Sequence, residues 1–243
     1  MKYSFKISYS RINTYLFCPY KYKFVYLDNI RTPANPDVTF GHIIHKSLEK
    51  FHYNNKYSRN ILFTCYNNSW RNDGFISSQQ IFEYYKRGER LLENYYKTFC
   101  KSKTEILYVE KAFNTNIREY KFIGIIDRID KHIDGAYEII DYKTHLKIWN
   151  QEKIDKDLQL SLYAYAYKNI FGFYPDKISI YFLSWDEKIY TKRSEKMILD
   201  AMNVAIEAAK NIISENFKPD TSKCTICDFK FICQYSEYRT NKK

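Results

Sequence analysis

KFIGIIDRIDKHI (residues 121–133) is a predicted β-strand, and YEIIDYKT (137–144) is the strand that follows it. Side chains alternate between the two faces of a strand, so Asp127 shares a face with isoleucines. A lone carboxylate is costly to desolvate there unless it is paired or binds a cation. In the second strand Asp141 and Lys143 share a face for the same reason. The two strands therefore bring two carboxylates and one ammonium group to one patch.

This patch suits a hard divalent cation such as Mg²⁺ or Mn²⁺, because such ions prefer oxygen ligands and bridge to phosphate oxygens. A bound ion lowers the pKa of water and neutralises charge on a scissile phosphate. A neighbouring lysine orients the attacking water or stabilises that charge. An ordinary cross-strand salt bridge is the alternative that the bare pattern leaves open.

The periodicity of the surrounding chain predicts a mixed α/β domain. The period of two predicts further strands at 106–117 and 176–185, and the helical period predicts helices at 41–53, 59–71, 78–100, 157–171 and 194–215. The order of these elements is not an alternation of βαβ units, and no internal repeat is visible. We therefore expect one domain over 1–243, with a helical part at about 1–103, a core at about 104–190 and a C-terminal cysteine-bearing appendage at about 191–243.

Composition and charge narrow the class of protein further. The chain has 243 residues, of which 45% are hydrophobic, which excludes an intrinsically disordered chain. The formal net charge of +11 favours an anionic partner, with nucleic acid first and a membrane surface second, although a merely soluble lysine-rich protein has the same balance. No apolar stretch is long enough for a membrane span and no secretory segment is visible, so we expect a cytoplasmic protein without a membrane partner.

Two pairs of residues lie one helical turn apart. Gly41 and His45 form the first pair, and Gln159 and Tyr163 form the second. Each pair is either part of a functional site or an ordinary structural feature. The ordinary explanation for His45 is a solvated histidine, and for Gln159 and Tyr163 it is the packing of an amphipathic helix. Glu110 in the first long strand is interpreted as a surface carboxylate and is left outside the predicted site.

The cysteines form a second pattern. Cys224, Cys227 and Cys233 are closely spaced, and a Cys-x-x-Cys pair lets two thiolates reach one metal centre. Three cysteines leave such a centre one ligand short, and Cys18 is the predicted fourth. Spacing alone leaves zinc, an iron–sulfur cluster and unliganded thiols open. The remaining two cysteines, Cys65 and Cys100, are interpreted as core residues.

Taken together, these motifs resemble the RecB-like branch of the PD-(D/E)XK nucleases. The resemblance rests on Gly41-x-x-x-His45, GIIDRID (124–130), IDYKT (140–144) and Gln159-x-x-x-Tyr163, and it extends to SYSRINTYLFCPYKYKF (8–24). It covers residues from about 8 to 235. Ile126 stands where the family has proline before the first aspartate.

The resemblance implies a restriction-endonuclease-like core, in which a central mixed β-sheet is flanked by helices. It implies Mg²⁺ or Mn²⁺ held by His45, Asp127 and Asp141, with Lys143 as the catalytic lysine and Asp127 and Asp141 as the catalytic carboxylates. Gln159 and Tyr163 match the motif that lies near the substrate. Many RecB-like nucleases, including the AddB nuclease domain and those linked to CRISPR adaptation, carry a [4Fe–4S] cluster. Its ligands in this chain would be Cys18, Cys224, Cys227 and Cys233, with zinc as the less favoured occupant.

We therefore expect a metal-dependent deoxyribonuclease, an exonuclease that acts on single-stranded or frayed DNA in recombination and repair or in CRISPR spacer processing. A separate helicase or a CRISPR-adaptation protein is the expected protein partner, because the chain has no Walker-type loop. The alternative is a catalytically silent DNA-binding scaffold subunit of a helicase–nuclease complex. The presence of Asp127, Asp141 and Lys143 argues against it, because a scaffold has no need of that trio.

Overall fold

The predicted strands are all present and belong to one mixed β-sheet. The computed structural model describes residues 5–54 and 56–239. The strands are β1 (Lys6–Ile7), β2 (Glu105–Ile117), β3 (Tyr120–Lys131), β4 (Tyr137–Lys143), β5 (Lys177–Phe182) and β6 (Glu187–Thr191). The sequence did not predict β1 and β6. β6 carries charged residues and pairs only with β5, and edge strands of this kind give a weak hydrophobic signal.

The predicted helices are also present. The helices of the described residues are α1 (Tyr9–Phe17), α2 (Pro19–Tyr26), α3 (Pro36–Tyr53), α4 (Arg59–Asn67), α5 (Ser78–Phe99), α6 (Gln151–Asp155), α7 (Leu158–Phe171) and α8 (Glu195–Ile213), followed by a 3₁₀ helix (Thr221–Ile226). The predicted helices correspond to α3, α4, α5, α7 and α8. Two predicted helix boundaries were wrong. Helix α4 ends at Asn67 and not at residue 71, and α3 begins at Pro36 and not at Gly41. The Asn35 side chain accepts from the backbone N–H of Asp37 (2.8 Å), and proline suits the first helical position.

Residue contacts divide the chain into two compact units. The first unit contains residues 5–33, 114–124 and 195–239 of the described chain, and the second contains 34–113 and 125–194. The expectation of one nuclease domain over 1–243 stays a prediction.

In the second unit, β4 is the central strand. It pairs antiparallel with β3, with Arg128 opposite Ile140, and parallel with β5, with Asp141 opposite Ile180. Helices α3, α4 and α5 contribute most of the core that packs beside Ile140 and Tyr142. Gly88 of α5 is required by this packing, since a Cβ atom there would lie 2.1 Å from the Tyr66 hydroxyl.

In the first unit, α1 ends before Cys18 and α2 begins at Pro19. Ser8 caps α1, and its side chain accepts from the N–H of Arg11 at 3.3 Å. The hydroxyl of Tyr15 in α1 donates to the carbonyl of Asn216, which follows α8 (2.7 Å). Across residues 5–54 and 56–239, the helices lack the combination of length and apolar character that spanning a membrane requires.

Candidate active site

Three acidic or imidazole groups of the second unit converge beside the central strand. The ligand atoms of His45 on α3, Glu110 on β2 and Asp127 on β3 all lie within 4.8 Å of one another. His45 Nδ1 is 3.6 Å from Asp127 Oδ1 and 3.8 Å from Glu110 Oε1. Two carboxylates and one imidazole are a donor set that suits Mn²⁺ or Mg²⁺. His45 and Asp127, which the sequence singled out, are therefore brought together.

The backbone of Tyr142 orients two of these side chains. His45 Nε2 lies 3.2 Å from the Tyr142 carbonyl oxygen. A carbonyl can only accept, so Nε2 carries a hydrogen and Nδ1 is the nitrogen that faces the carboxylates. Nδ1 donates to them when the imidazole is charged and is the free ligand atom when it is neutral. The N–H of Tyr142 donates to Asp127 Oδ2 at 2.7 Å. One peptide segment of β4 thus fixes both the imidazole tautomer and the carboxylate, which is how metal ligands are commonly supported.

The sequence interpretation of Glu110 as a surface carboxylate was wrong. Regular alternation puts Glu110 on the face opposite Phe113, whose ring contacts that of Tyr163 (5.9 Å between centroids). Glu110 instead has φ 46°, in the left-handed region, although it lies within β2. A local break of this kind re-aims a side chain. The sequence signal was an acidic residue among apolar residues of the predicted strand.

Burial and charge shift the pKa values of the site. Burial alone lowers the pKa of His45, but the charge of Asp127 and the contact with Glu110 outweigh it and raise that pKa to about 10. Burial raises the pKa of Asp127, yet the His45 charge and the Tyr142 N–H lower it overall. Burial raises the pKa of Asp141 to about 6, against the opposing effect of Lys143. His45 and Asp127 thus stabilise each other's charged form.

Lys143 and Asp141 lie next to this group at the end of β4. Lys143 Nζ is 2.8 Å from Asp141 Oδ2 and donates to Gln159 Oε1 on α7 at 3.1 Å. Gln159 Nε2 in turn donates to the Tyr163 hydroxyl at 3.0 Å. The helical spacing of Gln159 and Tyr163 therefore fixes which end of the amide meets the ammonium group.

Gly41 lies on the same side of α3 as His45, one turn earlier. A Cβ atom at this position would come 3.4 Å from the Thr144 hydroxyl oxygen, directly after the lysine strand. This contact is close without being a clash, so the glycine lets α3 approach the end of β4.

The side chain of Tyr142 lies in a buried polar network. The guanidinium of Arg128 donates to both carboxylate oxygens of Asp130 (2.5 Å each) and to the hydroxyl of Tyr95 (2.8 Å). Tyr95 also bonds Tyr142 (3.1 Å) and His52 (2.6 Å). His52 and His45 are two turns apart on α3. The network therefore anchors the helix and the strand that carry the site.

In the first unit, the four cysteines that the sequence grouped line one small cavity of about 20 Å³. They are Cys18, Cys224, Cys227 and Cys233. The N–H of Asp220 donates to Cys18 Sγ at 3.4 Å, and burial raises the pKa of the Cys227 and Cys233 thiols. An ion pair between Lys21 and Asp228 (2.7 Å) ties α2 to the tail.

The other two cysteines differ from each other. Cys65 is buried, as predicted, whereas Cys100 is exposed, so its interpretation as a core residue was wrong. Cys100 caps the C-terminal end of α5, where its position at the helix end leaves it in solvent.

Comparisons with known proteins bear on the fold. The sequence model of the PD-(D/E)XK nuclease superfamily matches residues 6–234. A crystal structure named "Putative exonuclease" from Eubacterium rectale is similar with a TM-score of 0.57 at 11% identity, over 98% of this chain and 90% of that one. A crystal structure named SSO0001 has a TM-score of 0.39 at 16% identity, over 80% of this chain and 84% of that one. No curated protein matches the sequence. The predicted fold class, a mixed sheet flanked by helices in a PD-(D/E)XK core, is confirmed.

Proposed function

Because this chain belongs to the PD-(D/E)XK nuclease superfamily, we propose that it is a divalent-metal-dependent deoxyribonuclease. We propose an exonuclease that hydrolyses single-stranded or frayed DNA, acting in recombination and repair or in CRISPR spacer processing with a helicase or a CRISPR-adaptation protein as partner. The observation that carries the proposal is the convergence of His45, Glu110 and Asp127 beside the ion pair of Asp141 and Lys143.

The donor set fits the metal that the superfamily uses. His45 Nδ1 and carboxylate oxygens of Glu110, Asp127 and Asp141 would hold Mg²⁺ or Mn²⁺. A bound ion supplies Lewis-acid stabilisation of phosphate charge and a lower pKa for water. The imidazole favours Mn²⁺ over Mg²⁺, because Mg²⁺ prefers oxygen ligands alone.

The other side chains handle the water and the phosphate. Hydrolysis joins the water oxygen to phosphorus, breaks one P–O ester bond and leaves the two water protons on the leaving oxygen and in solvent. Lys143 orients that water or stabilises charge on the phosphate. Gln159 holds the ammonium group in place through its carbonyl oxygen, and Tyr163 fixes the orientation of the Gln159 amide.

End-labelled single- and double-stranded DNA, incubated with Mn²⁺, with Mg²⁺ or with a chelator, tests this proposal. We expect metal-dependent cleavage, and a loss of about 10²-fold or more in Lys143→Ala and in Asp141→Ala with DNA binding retained. Lys97→Ala, an exposed lysine on α5, is the matched control and should cleave normally. Full activity of Lys143→Ala would remove the catalytic assignment. DNA binding by the unmodified protein without any cleavage would indicate the scaffold function instead.

We also propose that Cys18, Cys224, Cys227 and Cys233 hold a [4Fe–4S] cluster. The support for this is that all four thiols line one cavity, in which cysteine sulfur is the donor that such clusters use. When bound, the cluster would tie α2 to the C-terminal tail, and its bonds would add to folding stability.

Protein purified without oxygen tests the cluster by its iron content and visible absorption. Cys18→Ala should lose iron and unfold at a lower temperature, whereas Cys65→Ala, a buried cysteine outside the cavity, should keep its iron. Stoichiometric zinc without iron would replace the cluster by a zinc site. A Cys18→Ala protein with full iron content would remove Cys18 from the ligand set.

A further inference from the structure

The turn between β5 and β6 presents a large aromatic side chain to solvent. Trp185 is 56% exposed, and Leu146, which follows the lysine strand, is 60% exposed. The indole is nevertheless held in one orientation, because its Nε1–H donates to the Leu146 carbonyl at 2.7 Å. A fixed, exposed indole beside an exposed leucine is an apolar surface that has already lost much of its conformational freedom.

This surface lies at the end of the strand that carries Lys143. Phe182 pairs with Lys143, and the N–H of Leu183 donates to the Lys143 carbonyl at 2.9 Å. The hydroxyl of Ser184 donates to the Thr144 carbonyl at 2.6 Å. The Arg87 guanidinium donates to the same carbonyl. Hydrogen bonds to residues 143, 144 and 146 thus fix the turn that carries Trp185 against the catalytic strand.

The ring of a second tryptophan in this region, Trp149, contacts other side chains. Lys153 Nζ lies 3.7 Å from the centroid of the Trp149 ring, and the His145 ring stacks on Trp149 at 5.4 Å. Trp149 therefore packs within the loop after β4. The exposed indole of Trp185 is the one that can receive a planar group.

The charges around this surface favour an anion. Residues 144–150 include an exposed lysine, Lys147, and no acidic residue. The oxygens of the Asp186 carboxylate are directed toward the hydroxyls of Tyr181 and Thr98, from which they accept. Glu152 is paired with Lys156 at 2.6 Å. The exposed indole is bonded to Leu146, and Leu146 directly precedes the exposed Lys147. This combination suits single-stranded DNA, whose unpaired bases stack on aromatic rings while its phosphates meet cations.

We propose that Trp185, with Leu146 at its edge, is the platform on which one base of single-stranded DNA stacks when the neighbouring phosphate lies at Lys143. The inference rests on the proposed function. It specifies which part of the DNA substrate this surface binds, namely one unpaired base. Duplex DNA keeps its bases stacked on each other, so the platform selects single strands or frayed ends.

Binding of a fluorescein-labelled oligothymidylate, measured in chelator so that no hydrolysis occurs, tests the platform. Removal of one base–aromatic stack should weaken binding about tenfold in Trp185→Ala. The dependence of affinity on salt should keep its slope, because no phosphate contact is lost. Trp185→Phe should retain most of the affinity. Leu146→Ala, which leaves the indole in place, should give a smaller loss.

Two controls separate stacking from a general loss of structure. Tyr190→Ala, which removes an exposed ring (60%) from the neighbouring strand β6, should bind normally. Oligonucleotides that each lack one base test the same contact from the DNA side. The wild-type protein should lose about as much affinity as Trp185→Ala does when the missing base is at one particular distance from the end. Trp185→Ala should lose no further affinity for that oligonucleotide. Blunt-ended duplex DNA should bind the wild type and Trp185→Ala with equal affinity.

The outcomes distinguish this inference from the proposed function. If the unmodified protein cleaves DNA and both Trp185→Ala and Leu146→Ala bind the oligonucleotide like it, the platform is wrong and the nuclease proposal stands. If Trp185→Ala weakens binding but the unmodified protein never cleaves, the platform stands and the nuclease proposal fails. A protein that binds no oligonucleotide overturns both.

Discussion

Glu110 has a left-handed backbone conformation, and its carboxylate faces the imidazole of His45. That conformation costs of the order of 1–3 kcal/mol for a residue other than glycine. The carboxylate of Asp127 lies close to that of Glu110, with the charged imidazole of His45 beside both. Strain and like charges at one position are expected where a ligand compensates for them.

Glu110→Gln should therefore weaken Mn²⁺ binding by at least about tenfold, since the loss of a metal-site partner commonly costs 10–100-fold. Isothermal titration calorimetry of the DNA-free protein measures this directly. Glu105→Gln, at the start of the same strand, is the control and should bind Mn²⁺ normally. Equal affinity of the two variants would return Glu110 to the surface role that the sequence suggested.

His52 is a second titratable residue of α3, and it is buried as the neutral form. Burial, followed by the charge of Arg128, lowers its pKa well below the usual value. The unfolded chain takes up a proton near pH 6.5, whereas the folded chain does not. Stability is therefore fully present above that pH and is lost as the pH falls below it.

Urea unfolding of the wild type and of His52→Leu between pH 5 and pH 7.5 measures this contribution. The difference between their free energies of unfolding should change in favour of the variant by up to about 1.4 kcal/mol per pH unit below pH 6.5, the value for one proton. Above pH 7 the difference should be constant. Parallel curves over the whole range would show that His52 takes up its proton in the folded state.

At the scale of elements, strand β4 couples the site to the buried pair of Arg128 and Asp130. Its backbone at Tyr142 holds His45 and Asp127, and the Tyr142 side chain lies beside the guanidinium of Arg128 (3.4 Å between Tyr142 Oη and Arg128 Nη1). Both members of the ion pair are almost fully buried. Removal of one member leaves an uncompensated buried charge.

Arg128→Met should destabilise the fold by about 3–5 kcal/mol, because Asp130 then stays buried without its partner. The double variant Arg128→Met/Asp130→Leu should recover most of that loss, which urea unfolding measures. The exposed pair of Arg59 and Glu93 is the matched control, and its removal should cost about 1 kcal/mol or less. A double variant as unstable as Arg128→Met would show that the network depends on more than charge pairing.

At the scale of the whole molecule, the net charge of +11 sets how the chain meets a polyanion. A protein that neutralises several phosphates releases their counterions, so its affinity for DNA falls as salt rises. We expect the logarithm of the binding constant for single-stranded DNA to fall by about 0.7 per phosphate contacted for each tenfold rise in salt. Fluorescence anisotropy at several salt concentrations measures the slope. A flat profile would mean that the charge is spread over solvated lysines.

The sequence alone determined four of the strands (β2 to β5), the shared face of Asp141 and Lys143 and the helical pairing of Gln159 with Tyr163. Each of these follows from the regular period of a strand or a helix, which fixes the residues that share a face. It also grouped the four cysteines. Three of them are close together in the sequence, and the fourth, Cys18, was inferred because such a centre needs one more ligand.

Tertiary structure decided what depends on irregular backbone or on distant contacts. Glu110 lies beside His45 and has a φ angle that breaks the strand period, and no propensity predicts that angle. The tautomer of His45 depends on a carbonyl oxygen nearly 100 residues away in sequence. Trp185 becomes an exposed, fixed ring through a hydrogen bond to Leu146, 39 residues earlier. Contacts of such long sequence separation are set by packing of the whole chain, and a local pattern carries no record of them.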